Sequence, residues 1–435
     1  LSARFTILMI DRALNFFTSL RLTVVLLCLS ALLVFVGTLA QLRLGPYGPQ
    51  EEFFRQFFVW WSPGGASWKI PVFPGGWLLG TLLLINLLAA HIKRFEISRK
   101  KIGIFLIHGG LILLLLGQFL TEVFQIESVM RLPEGGTRNY SEDARKNELA
   151  IIDVTSPDED KVVSIPQSFL KPGEEIRHPE LPFAIRVKQL FENSTPSGTR
   201  DGSTGEKMKA ADGVGSRLQF AQLPPTGIMD DENKPAALVE VVGPDGALGE
   251  WVVSTWLSKY PWYDSLKLQM SSVLGELLEA PQSFTHEGRT YQVVLRPIRY
   301  YKPYSITLLK ATHEKYRGTE IPKNFSSRIL LKNPGAAEER EVLIYMNNPL
   351  RYAGETFFQF QMNAEPGMES SAFQVVKNPA WVTPYLACTL MGVGMLVQFL
   401  MHLVGFGRRR KKASGAKPTT GEPALARDTA ERSAQ

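Results

Sequence analysis

The stretch WLLGTLLLINLLAAHIKRFEISRKKIGIFLIHGGLILLLLGQFLTE, residues 77–122, contains two apolar segments joined by a short basic loop. Residues 77–92 and 102–121 carry no Lys, Arg, Asp or Glu, whereas Lys93, Arg94, Arg99, Lys100 and Lys101 crowd the loop. A helix needs about 20 apolar residues to cross a hydrocarbon layer of about 30 Å, so the pattern reads as a helical hairpin through a membrane. His91 stands where the first segment meets the loop, and His108 lies about two turns inside the second. An ionisable side chain at membrane depth is costly to keep there, which makes these two histidines the first candidates for function.

Two more uncharged runs, 22–42 and 379–406, complete a set of four spans. Arg4, Arg12 and Arg21 precede the first span, and Arg408 to Lys412 follow the last. Basic flanks mark the cytoplasmic side, and all the clusters fall on that side if each segment crosses once. The expected fold is therefore a membrane protein: four transmembrane α-helices with a large β-rich extracytoplasmic domain between helices three and four. Its parts are an amphipathic cytoplasmic N-terminus (1–21), the first span (22–42), an external aromatic segment (43–76), the second span (77–92), the basic loop (93–101), the third span (102–122), the β-rich domain (123–378), the fourth span (379–406) and a disordered cytoplasmic tail (407–435). The first span is longer than a usual signal-peptide core and lacks a good cleavage site, so it reads as a retained helix.

The net charge of +6 sits mainly in these flanks, which argues against a nucleic-acid partner. Cys28 and Cys388, the two cysteines, lie in the first and last spans. That excludes a disulfide framework, a CxxC redox pair and a CxxCH haem-attachment site in the large domain. A phosphate-binding Gly-Lys loop, a nucleophile–base arrangement and metal-ligand spacing are likewise absent from the sequence, so hydrolase chemistry has no footing.

In the external segment Phe53, Phe54, Phe57, Phe58 and Trp61 recur at helical spacing, with Trp60, Trp68 and Trp77 nearby. This stripe admits two readings, an interfacial helix or an aromatic platform facing haem or a partner. In the large domain, short β-branched and aromatic runs bounded by Gly, Pro, Asn and Asp predict strands at 148–155, 161–165, 183–191, 237–242, 250–255, 290–295, 305–311, 328–331, 342–346 and 356–362. Phe358, Phe360 and Met362 alternate with Phe357, Gln359 and Gln361. Residues 193–216, rich in Gly, Ser, Thr and charge, predict a flexible loop dividing the domain.

Several stretches resemble the ResB (CcsB) family of cytochrome c biogenesis proteins, System II. RLTVVLLCLSALLVFVGTLAQ is similar to that family's first span and HGGLILLLLGQFLTE to its third. NFSSRILLKN and NNPLRYAGETFFQFQM, followed closely by a span, resemble its external C-terminal half. The resemblance implies a subunit of the complex that attaches haem to c-type cytochromes, in the inner (plasma) membrane of a bacterium. The implied partners are a CcsA (ResC) type membrane subunit and apocytochrome c, and the implied cofactor is transiently bound b-type haem. The subunit would help to receive and export haem and to present the apocytochrome for attachment at CxxCH. The alternative is a scaffold or chaperone that binds only the partner and the apocytochrome, with no haem of its own.

Counting from a loop whose ends share one depth, His91 lies about 3 Å and His108 about 10 Å inward at 1.5 Å per residue. An offset of about 7 Å is awkward for two ligands of one iron, so pairing of one histidine with a partner histidine is simpler. In the family a transmembrane histidine of this subunit is taken to ligate haem, and the matching position is His91. Arg94, at i+3, shares its face and could meet a haem propionate. The plainer readings are a snorkelling His91 and an Arg94 that only marks the inner side. Gly103, Gly110 and Gly117 line one face of the third span and predict close approach of another helix, with His108 nearly opposite. His108 is the alternative axial ligand, or a buried hydrogen-bonding group. His402 reads as interfacial, and His178, His286 and His313 as surface or hydrogen-bonded residues. Asn86 and Gln118 are expected to hydrogen-bond between helices. Arg351, Tyr352 and Gly354 form either a docking point or a structural turn.

Overall fold

The computed structural model describes residues 15–45, 48–63, 68–93, 101–197, 206–225, 233–258, 282–318, 322–363 and 369–414. Arg94, most of the basic loop, the first 14 residues and the tail from 415 lie outside the described residues. Among the described residues there are four long helices: α1 (Leu20–Leu44), α2 (Gly76–Lys93), α3 (Ile102–Phe124) and α4 (Thr383–Ser414). Each is long and apolar enough to cross a membrane. Phe35, Phe119 and Phe399 remain about 60% exposed on them (61%, 60% and 63%). Apolar faces this continuous are unfavourable in water and fit association with a membrane.

The fourth helix differs from expectation at both ends. Residues 380–382 form a turn, with Thr383 N donating to Ala380 O at 3.0 Å, and the helix begins only there. At the other end it runs through Arg408–Lys412 to Ser414, so the first residues assigned to a disordered tail are helical. Arg and Lys are good helix formers and complement the negative end of the helix dipole.

The chain divides into two compact units. One comprises Leu1–Thr23, Leu83–Glu122 and Ala380–Gln435. In it Gly103, Gly110 and Gly117 are the buried residues of α3. A Cβ at Gly110 would stand 2.6 Å from Met391 Cγ and 2.8 Å from Ala387 O, and one at Gly117 would stand 2.4 Å from Thr383 Cγ2. The stripe predicted to admit a close helix does so, and its neighbour is α4. Asn86 is buried and bridges as expected, accepting from Thr23 Oγ1 at 2.6 Å and donating to Phe17 O at 2.6 Å. Gln118 departs from expectation. It is exposed and makes no hydrogen bond with a described residue, because one step past Gly117 turns it 100° away from the packed face.

The other unit comprises Val24–Leu82 and Val123–Pro379. The aromatic stripe expected as an interfacial helix is instead one π-helical turn, Gln50–Phe54, and an antiparallel hairpin of Phe58–Trp61 with Ile70–Pro74. Its aromatic residues suit a strand as well as a helix, and antiparallel pairing with Ile70–Pro74 makes Phe58–Trp61 a strand. The hairpin's return is held where Gly75 N donates to Phe57 O at 2.8 Å, with backbone so close that a Cβ on Gly75 would stand 2.2 Å from Gln56 O.

The rest of this unit is β-rich, as expected. Two long strands, Thr137–Asp153 and Arg289–Lys315, pair with each other inside a ten-stranded sheet. The predicted runs at 290–295 and 305–311 are thus one strand, whose register shifts between Pro297 and Arg299 and again between Tyr301 and Ile306. Proline cannot donate to the ladder, so Pro297 and Pro303 mark the irregular part. On one side of the break Leu149, Ile151, Val293 and Leu295 face Ile185, Val187, Val239 and Val241 of a separate four-stranded sheet and form one core. On the other, Leu132, Ile306, Ile329, Ile344, Phe357 and Phe373 form a second.

Of the expected loop, residues 198–205 lie outside the described residues, and 193–197 and 206–216 are not simply a loop. Strands Ser194–Ser197 and Lys207–Met208 flank Gln219–Gln222, and Met208, Val214 and Phe220 are buried in a third, small core. Asn193 secures the start: it donates to Pro224 O and accepts from Lys234 N, each at 3.0 Å. The polar composition hid two apolar anchors, Met208 and Val214, and a side chain able to replace backbone partners.

Candidate functional site

The hairpin of α2 and α3 brings the two histidines of its apolar helices together. The rings of His91 and His108 meet edge to face, with centroids 5.1 Å apart and planes at 88°. Both are half-buried. The expected depth offset is closed by side-chain direction. Cα–Cβ bonds lean toward a helix's N-terminus, so His91, near the end of α2, leans away from the loop, while His108, near the start of α3, leans toward it. In antiparallel helices the two therefore converge.

Phe105 completes the cluster, its ring 6.2 Å from His91. It was not singled out from sequence, although it stands at i−3 to His108, the spacing that places two helical side chains on one face. At the end of α2 Lys93 Nζ donates to Asn15 Oδ1. Arg94, expected to share the His91 face, lies outside the described residues.

The other histidines stay apart from this pair in character. His402 is exposed and shares a 2.8 Å hydrogen bond with Gln398 of its own helix. His178 accepts from Glu180 N at 3.3 Å. His286 lies edge-on to Phe183 and His313 stacks on Phe325 at 4.4 Å, and both Nε2 atoms are buried without a hydrogen bond. Among the described residues these last two rings pack against phenylalanines. Among the described residues no three His, Cys, Asp or Glu side chains gather to hold a metal ion.

Tyr352 points inward, accepting from Asn333 Nδ2 at 2.8 Å and donating to Glu338 at 2.8 Å. Ala353 and Gly354 both have positive φ (48° and 77°) and join Leu350–Tyr352 to Glu355–Asn363 as a two-residue hairpin turn. The structural reading of this cluster is the one the geometry supports for Tyr352 and Gly354. Phe358 and Phe360 form the exposed side of the strand they share, whereas Phe357 is fully buried.

No protein-family model matches this sequence. Over 98 residues, 22% of the chain, it is 28% identical to Protein NrfI of Wolinella succinogenes. That stretch spans 11% of the length of NrfI.

Chemically, the pair offers imidazole nitrogens in an apolar, half-buried setting, donors that could hold haem iron better than a hard cation. Two axial ligands of one iron have the macrocycle between them. Rings in direct edge-to-face contact do not, so this arrangement suits one ligand from the pair.

Proposed function

We propose that this chain is a haem-handling subunit of a membrane complex that attaches haem to c-type cytochromes. The observation carrying the proposal is the His91–His108 contact inside an apolar hairpin, an environment in which an imidazole without a role would be a liability. The similarity to NrfI and the resemblance to the ResB family support it. In this reading His91 holds the iron of b-type haem together with a histidine of a CcsA-type partner. His108 packs against the His91 ring and fixes its orientation, or takes its place as ligand. Haem, as cargo, supplies the porphyrin that is joined to the CxxCH thiols of the apocytochrome. The chain's own part is to hold and orient it.

In this reading the basic flanks and the histidine-bearing end of the hairpin face the cytoplasm, with the β-rich unit outside a bacterial inner membrane. The pair then lies where haem is received, and the external unit is the part available to the apocytochrome.

The test is an absorption spectrum of the chain purified with its partner, as wild type and with His91 and His108 both replaced by alanine. A b-type haem spectrum that disappears in the double variant, with the protein still in the membrane, supports the proposal. Undiminished haem in that variant would leave the chain as a scaffold whose partner holds every ligand.

A further inference from the structure

A cavity of about 310 Å³ opens in the β-rich unit, lined by Ser128, Arg299, Tyr300, Tyr301, Glu355 and Lys377, with Ile126 and Val375 as its apolar wall. Most charges around it are matched. Arg299 Nε donates to Glu142 at 3.3 Å, and its guanidinium lies 4.3 Å over the Tyr140 ring. Tyr300 donates to Asp143 at 2.7 Å, and the other oxygen of Asp143 accepts from the Arg145 and Lys146 amides. Lys302, with its side chain only 3% exposed, donates to Glu355 Oε1 at 2.7 Å, and Tyr304 donates to Glu355 Oε2.

Lys377 is the exception. It stands directly across the strand pair from Glu355, yet both oxygens of that carboxylate are already engaged. Exposed at the cavity, Lys377 makes no hydrogen bond or ion pair with a described residue. The wall thus presents an uncommitted ammonium beside a fixed guanidinium and phenol groups, backed by aliphatic side chains. That combination recognises a singly charged oxyanion attached to an apolar body.

The chain itself points to the source. Ile126 follows the end of α3 at Phe124 by two residues, and Lys377 precedes the start of α4 at Thr383 by six. Both helices are long and apolar enough to cross a membrane, so a bilayer surface is the supply of oxyanions nearest along the chain. We infer that this cavity binds a phosphate-class oxyanion, with a phospholipid headgroup as its source. The inference does not depend on the haem reading.

Calorimetric titration of the full chain in dodecyl maltoside tests it, with short-chain phosphatidylglycerol and inorganic phosphate as probes. The lipid should bind the wild type, and Lys377→Gln should weaken binding about tenfold, the scale of one charge-assisted hydrogen bond, with Lys377→Arg restoring it. Lys377 is exposed, so these variants leave the fold intact. If inorganic phosphate binds with the same dependence on Lys377, the oxyanion site stands with free phosphate as its source. Lipid and phosphate affinities unchanged by Lys377→Gln would overturn the inference, as would a wild type that binds neither.

Discussion

His91 and His108 touch ring to ring at 5.1 Å, whereas depth counted along the chain sets them about 7 Å apart. Their contact separates two roles that sequence leaves merged, ligation and support. Replacing His108 with Phe retains an aromatic ring against His91 and removes only the nitrogen. If His91 is the ligand, His108→Phe should keep bound haem near the wild-type level, while His91→Phe should lose most of it. Soret absorbance per protein measures both, and the opposite pattern would transfer the ligand role to His108.

Close packing of α3 on α4 should be intolerant at one glycine and permissive at its neighbour. A Cβ at Gly110 meets Met391 and the Ala387 carbonyl, whereas one at Gly109 has nothing within 4 Å. Gly110→Leu is therefore expected to cost about 1–3 kcal/mol through overpacking, and Gly109→Leu close to nothing. Thermal melting of the detergent-solubilised chain distinguishes them, and equal melting points would contradict the packing described.

How much of this was legible in the sequence depends on which interaction fixes each element. The four helices and the face carrying Gly103, Gly110 and Gly117 follow from hydropathy and a seven-residue spacing, both local properties. The strand Thr137–Asp153 was visible only from 148 on, because polar residues up to that point are buried through partners far along the chain: Glu142 with Arg299 and Glu148 with Arg296. The histidine pair was named but set apart, since a count along the helix axis omits the direction in which side chains lean. Phe358 and Phe360 alternate as a strand should, but which side faces the core is decided by the neighbouring strands, and they place Phe357 inside.

The Arg296–Glu148 pair carries its own prediction. The two stand opposite each other across the long strands, 2.9 Å apart, with both side chains 4% exposed, and Ser164 donates to the second oxygen of Glu148 at 2.5 Å. Removing one charge strands the other in the interior. Arg296→Met is expected to destabilise by about 3–5 kcal/mol, and adding Glu148→Leu should recover a large part of that. Denaturant unfolding of the β-rich unit's fluorescence within the full chain reads the difference. A double variant no more stable than Arg296→Met would show that the pair contributes by packing alone.

At the hairpin turn Ala353 holds φ at 48°, a region costly for any residue with a Cβ other than Asn or Asp. Ala353→Gly removes that strain and completes a favoured two-residue turn, although it also loosens the unfolded chain. The net gain should be about 0.5–1 kcal/mol. A melting point at or below that of the wild type would mean that the turn is not strained in the folded protein.

A ladder of charges crosses the four-stranded sheet: Arg186 bonds Glu175 at 3.0 Å and Glu240 at 2.9 Å, and Lys188 bonds Glu240 at 3.0 Å and Glu250 at 2.9 Å. The Lys188 hydrogen bond holds the Glu240 carboxyl below its ordinary pKa, Arg177 and Arg186 do the same for Glu175, and Glu250 with Glu240 raises Lys188. A carboxyl lowered in the folded state stabilises above its unfolded pKa, near 4.5, and that stabilisation is lost as pH falls through the folded value. A lysine raised in the folded state stabilises below its unfolded pKa of 10.5 and loses its contribution as pH rises past the folded one. The ladder should therefore stabilise between about pH 5 and pH 10 and weaken outside that window. Because these groups face solvent, Glu240→Gln should cost no more than about 1 kcal/mol at pH 7, and less in high salt. The melting-point gap between wild type and Glu240→Gln should hold from pH 7 to about pH 5 and shrink from there toward pH 3. A gap that stays constant over that range would mean Glu240 contributes through shape and not through charge.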